Sequence, residues 1–151
     1  MFERLRYHVR YLSYTLGAQR MLGGRRWRMQ GYFPDKFCLN AAHEPHMVGL
    51  IETLLRARRG TFIDIGVNLG QTLVKVLGVD RERDYIGFEP QIACCFHVDQ
   101  FIRRNAVAHA RVIPVALGAA DGWLTLYAGG DIDEMASLDA TGLRATAATP
   151  R

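Results

Sequence analysis

Asp64 and Glu89 are the residues of this chain whose surroundings ask for chemistry. Phe62, Ile63 and Ile65 enclose Asp64, and a second apolar run, Tyr85-Ile86-Gly87-Phe88, leads into Glu89-Pro90, with Glu89 25 residues after Asp64. Short apolar runs of this kind predict buried strands. A carboxylate near the end of a buried strand loses hydration that something must replace, and a ligand carrying hydroxyls or positive charge would do so. Directly after Asp64 the chain passes through Gly66-Val67-Asn68-Leu69-Gly70 into Gln71-Thr72. Strand, glycine turn and helix in this order make a loop for a nucleotide cofactor. Gly66 takes backbone angles that a side chain forbids, and Gly70 lets a ligand or the neighbouring strand come close.

Two cofactors fit such a loop, and charge separates them. A dinucleotide brings a pyrophosphate, which calls for G-x-G-x-x-G feeding a helix N-terminus. Here the spacing is G-x-x-x-G with an acid two residues before the first glycine. S-adenosylmethionine has no phosphate and carries an ammonium and a sulfonium, so an acidic strand end favours it. Glu89, at the tip of the next strand, then accepts hydrogen bonds from both ribose hydroxyls. Replacing Glu89 by alanine is expected to weaken the cofactor and to leave folding nearly unchanged.

Asp64-Ile-Gly-Val-Asn-Leu-Gly-Gln-Thr72, Gly87-Phe-Glu-Pro90, Asn105, Val115-Ala-Leu-Gly118, Asp121-Gly122 and Leu124-Thr-Leu-Tyr127 stand in an order and spacing that resemble the FkbM family of S-adenosylmethionine-dependent methyltransferases. The resemblance covers roughly residues 60 to 139. Where the family pattern usually has alanine, this chain has Val67. The resemblance implies a Rossmann-like class I methyltransferase fold, and transfer of a methyl group to a hydroxyl of a sugar or secondary-metabolite acceptor. The cofactor-binding set is then Asp64, Gly66, Val67, Asn68, Gly70, Glu89, Pro90 and Ala116. Methionine part, ribose and adenine would lie in order along the glycine turn, Glu89 and the Val115 to Leu117 segment. No residue is identified as the base for the acceptor hydroxyl, and no metal is expected.

The elements around these residues follow from composition and periodicity. The 151 residues, 49% hydrophobic without a long apolar run, suit one domain or part of one. Three cysteines, Cys38 and the adjacent Cys94-Cys95, make an odd count without metal spacing, which with the absence of a signal-peptide pattern favours a reduced, cytoplasmic setting. Residues 1 to 30 carry a net charge of +6 and the remainder −2. Phe2, Leu5, Val9, Leu12 and Leu16 line one face of a helix ending near Gly17. That helix either lies on an anionic membrane surface or packs its stripe on the domain; the second reading is preferred. Gly23 to Phe33 predicts a solvated connection with a short strand at most, and Arg25, Arg26, Trp27 and Arg28 are too few for a nucleic-acid surface.

His43-Glu44-Pro45-His46 invites a metal reading, but Pro45 suits a first helical turn, with Met47, Leu50, Ile51, Leu54 and Leu55 forming the apolar face behind it and Gly60 the stop. Gln71 to Gly78 predicts a helix covering the sheet, and Asp80 to Asp84 a charged turn. Cys94, Cys95, Val98, Phe101 and Ile102 place a helix running to about Asn105, with both cysteines as inert packing. His97 and His109 are assigned no chemistry. Arg111 to Ala116 predicts a third strand. Right-handed crossovers then give a parallel half-sheet in spatial order third, second, first. Asp131, Asp133 and Glu134 form a solvated loop rather than a metal loop.

After Asp139 the sequence turns to alanine, threonine and glycine, without the K-I-D-V-E-G-like segment that the resemblance implies. The expected architecture is therefore α/β: a basic helix and loop over 1–30, a partial S-adenosylmethionine-binding domain over 31–139 lacking its C-terminal strands, and a low-complexity tail over 140–151. One edge of the first strand is left unpaired, so self-association along it is expected, and the chain alone is not expected to turn over. The alternatives are a non-catalytic remnant or interaction module that keeps the loop for folding, and a nicotinamide-dependent oxidoreductase.

Overall fold

The computed structural model describes residues 19–22, 25–28, 44–129 and 136–138. The helix predicted over 2–16, the acidic loop at 131–134 and the tail lie outside them. Eight elements follow one another: β1 (Gln19–Leu22), β2 (Arg25–Arg28), α1 (His46–Ala57), β3 (Phe62–Ile65), α2 (Gln71–Val79), β4 (Tyr85–Phe88), α3 (Ile92–Arg104) and β5 (Ala110–Ile113). β3, β4 and β5 form a parallel sheet in that spatial order, the order expected, with Phe62 beside Tyr85 and Tyr85 beside Ala110.

Because side chains alternate along a strand, this register puts Phe62, Asp64, Tyr85, Gly87, Ala110 and Val112 on one face. The core lies against that face: Leu73, Val74, Val76 and Leu77 from α2, Val98, Phe101 and Ile102 from α3, and Ile51 from α1 close over Tyr85 and Ala110. Right-handed crossovers from β3 to β4 to β5 carry both intervening helices to the same side. The opposite face is open, with Ile63 and Ile65 of the edge strand 60% and 67% exposed. The apolar face predicted for α1 is only partly used, since Ile51 is buried while Leu50 and Leu54 are about half exposed. Among the described residues no helix is long and apolar enough to cross a membrane.

Three sequence expectations are corrected. The third strand ends at Ile113 rather than Ala116, because Pro114 has no amide hydrogen with which to continue the ladder. Residues 19–22 and 25–28 form an antiparallel pair, with Leu22 beside Arg25. Trp27 is not on a solvated connection: it is 0% exposed. Its ring centroid lies 5.4 Å from that of Phe101, and the Arg81 guanidinium sits 5.5 Å above it. Asn105 fastens β2 at the backbone, its amide donating to the Arg28 carbonyl and accepting from the Arg28 N–H, both at 2.8 Å.

The charged turn after α2 holds the start of the sheet in place. The Arg83 guanidinium donates to the Leu55 carbonyl at 3.1 Å and the Gly60 carbonyl at 3.0 Å, while pairing with Asp80. These carbonyls belong to the end of α1 and the residues after it, where helical partners run out. Arg83 thereby ties α1, the turn and the first residues before β3 into one unit.

Candidate functional site

The chain leaves β3 through three left-handed residues, Gly66 (φ 84°), Asn68 (φ 47°) and Gly70 (φ 86°). Nothing would obstruct a side chain at Gly66, so the backbone angle alone requires glycine there. At Gly70 a Cβ would come within 3.3 Å of Val98. The close approach anticipated there is thus made to α3, not to a ligand or a strand. The turn is fastened to the tip of β4, since Gly66 N–H donates to the Phe88 carbonyl at 2.9 Å and Asn68 N–H to the Glu89 carboxylate at 2.8 Å.

Glu89 is 3% exposed, yet its carboxylate is well supplied with donors. One oxygen accepts from Asn68 N–H, and the other from Gln91 N–H at 2.8 Å. The second oxygen also accepts the Gln91 side-chain amide, at 3.4 Å. A buried carboxylate survives on such donors, and the oxygen facing Asn68 keeps a second lone pair for a further hydrogen bond. Cys95 lies just behind, its thiol donating to the Glu89 carbonyl. Burial and the Glu89 charge push that thiol up to about 11, so at neutral pH it is a protonated packing group. His97 is held below its ordinary value by burial, which keeps it neutral.

Asp64 does not wait for a ligand to pair with it. Its carboxylate accepts a hydrogen bond from the Tyr85 hydroxyl, a partner within the sheet that sequence reasoning missed. Burial pushes the Asp64 carboxyl above the usual carboxylate range, the Tyr85 bond pulls it back, and the Glu89 charge raises it. Tyr85 is itself raised by burial and by the Asp64 charge, so its hydroxyl stays a donor. The tyrosine reaches Asp64 by passing beside Gly87, where a Cβ would meet Val67 Cγ2 at 2.4 Å and the Tyr85 ring at 3.1 Å. Gly87 is therefore a packing requirement of Val67 and Tyr85. The signal was present in a glycine that interrupts an apolar strand.

Gly66, Asn68, Glu89, Pro90 and Ala116 line one cleft of about 230 Å³ at the carboxyl ends of β3 and β4. Ile65, Phe88, Val115 and Leu117 give it apolar walls, and Ala136 closes one side. Ala136 arrives there because Tyr127 and Ser137 exchange backbone hydrogen bonds of 2.9 and 3.0 Å. The three other expected site residues lie elsewhere: Val67 and Gly70 are packed inward, and Asp64 points to the helix-covered face. Among the described residues neither Asp64 nor Glu89 is ion-paired with a cationic side chain, and no group of histidine, cysteine or acidic residues could hold a metal ion. A second hollow, between Arg56, Arg59, Glu82 and Asp84, lies among residues flanking the amino ends of β3 and β4, away from this site.

The cleft thus offers a buried acceptor, flat apolar walls and negative charge without a built-in counterion, a set suited to a ribose and base carrying a cationic group. Comparison of the chain with protein-family models, with curated proteins and with solved structures finds no match.

Proposed function

We propose that this cleft binds S-adenosylmethionine and that the chain is a methyltransferase-type domain. One observation carries the reading: Glu89, buried at the tip of β4, is gripped on both oxygens by backbone N–H groups of the residues around it and still faces the cleft. The oxygen facing Asn68 accepts one ribose hydroxyl directly, the second hydroxyl takes the place of the long 3.4 Å Gln91 side-chain bond on the other oxygen, and the adenine lies between Phe88 and the Val115 to Leu117 segment. The amino-acid end follows the turn at Gly66 and Asn68. A pyrophosphate at this place would meet the Glu89 carboxylate and no cationic side chain among the residues that line the cleft, which disfavours NAD.

The motif order that resembles the FkbM family extends the proposal to methyl transfer onto a sugar or secondary-metabolite hydroxyl. Such a reaction needs the acceptor oxygen in line with the sulfonium methyl and its departing sulfur. The second reading is a non-catalytic remnant or interaction module that keeps the loop for folding. It is favoured by the cleft volume, about 230 Å³, which is smaller than the ~300 to 1,000 Å³ of ordinary ligand pockets.

Calorimetric titration of the full chain with S-adenosylmethionine, S-adenosylhomocysteine and NAD tests the cofactor. The first two should bind and the third should not; tighter binding of NAD would overturn the proposal. A labelled-methyl assay on hydroxylated acceptors then separates the enzyme from the module.

A further inference from the structure

The hydroxyl of Tyr85 is fixed from several sides. The side chain is fully buried, its ring is stacked on Phe62 with centroids 5.9 Å apart, and the bare Gly87 gives it room to reach Asp64. Asp64 stands two residues before Gly66, beneath the turn that forms one end of the cleft, close enough to Glu89 for the two charges to repel. A charge in so poorly hydrated a place is weakly screened, and its field acts on a ligand that it does not touch.

We propose that Tyr85 is a positioning residue, holding the Asp64 carboxylate charged and fixed beneath the glycine turn so that the cleft favours a sulfonium over the corresponding neutral thioether. The inference rests on the S-adenosylmethionine reading of the cleft. Substrate and demethylated product share ribose, adenine and amino-acid end, and they differ by a methyl group and one positive charge at sulfur. The ratio of their affinities therefore isolates the contribution of that charge. Without the Tyr85 hydroxyl, the burial that raises Asp64 is no longer opposed by a hydrogen bond to the charged form, and the carboxyl takes up a proton more readily.

The test uses the full chain and both ligands at one pH. Tyr85→Phe keeps the ring and its stack on Phe62 and removes only the hydroxyl. The dissociation constant of S-adenosylmethionine divided by that of S-adenosylhomocysteine should rise about three- to tenfold, the range for partial loss of one nearby charge. Asp64→Asn should give a rise of at least that size, and the double variant no more than Asp64→Asn alone. Thermal melting checks that each variant folds, and Asp64→Asn carries the test if Tyr85→Phe does not. Equal weakening of both ligands marks a merely structural tyrosine and overturns the proposal, as does an unchanged ratio. If the unaltered chain binds neither ligand, the cofactor reading falls and this inference with it; if it binds both and the ratio does not move, only this inference falls.

Discussion

Glu89 and Asp64 look alike in the sequence, each a carboxylate near the end of an apolar run, but their partners give them opposite responses to substitution. Glu89 satisfies two backbone donors, so Glu89→Ala should cost about 1 to 3 kcal/mol of stability for each N–H left unpaired, besides its effect on the cofactor. Urea denaturation checks this. The outcome would correct the expectation, drawn from sequence, that the substitution affects binding alone. Asp64 is instead a burden to the fold. Its folded carboxyl lies above the ordinary range, so the native state holds its proton where the unfolded chain has released it. Stability therefore falls as pH rises through the interval between the two values. Asp64→Asn, whose amide oxygen still accepts from Tyr85, should remove that loss: its melting temperature relative to the unaltered chain should increase from pH 4 to pH 7. A difference that stays flat would show that Asp64 does not titrate in this way.

Sequence periodicity located α1, α2, α3 and the parallel order of β3, β4 and β5, because each rests on a local pattern and the crossovers leave one arrangement. It did not locate the contacts that lock these elements together. Trp27 sits among arginines and reads as surface, and only the arrival of Phe101 and Arg81, far along the chain, makes it core. Trp27→Ala should therefore destabilise the domain by about 3 to 5 kcal/mol, the usual cost of emptying a buried aromatic site, measured by denaturant titration. Arg83 belongs to a turn that appeared merely charged, yet its planar fork reaches carbonyls at the end of α1 and just beyond it. Arg83→Lys should lose stability by about 1.5 to 3 kcal/mol, because one ammonium does not reproduce the forked set of charge-assisted bonds. The cleft was legible where it depended on strand tips, as at Gly66 and Glu89; Ala116 lines it from beyond the end of the third strand. It was illegible at Asp64 and Val67, whose side-chain directions follow from the register and from the tyrosine passing beneath Gly87.

Among the described residues, α1, α2 and α3 all lie on one side of a sheet whose first strand has a neighbour on one side only. Since the Phe62 and Gly66 amides donate toward β4, the backbone groups of Ile63 and Ile65 point to the open edge, and their exposed side chains share the open face. We expect the chain to self-associate there. Ile63→Lys should raise the half-association concentration about tenfold or more in sedimentation, as a charge at an open edge discourages pairing; no change would place the contact elsewhere. The same layout orders events in time. Within the parallel sheet, spatial neighbours are neighbours in sequence, so β3, α2, β4, α3 and β5 can assemble one after another as the chain lengthens, with short loops to close at each step. β2 is the exception, because its backbone is fastened to Asn105, 77 residues away from Arg28. Docking of the hairpin must wait until α3 is complete, which makes it the late step of folding. The chain carries its own reporter of that step: Trp27 ends fully buried and Trp123 fully exposed, so a slow blue shift of tryptophan emission after the helical signal has formed would time the closing of the N-terminal hairpin.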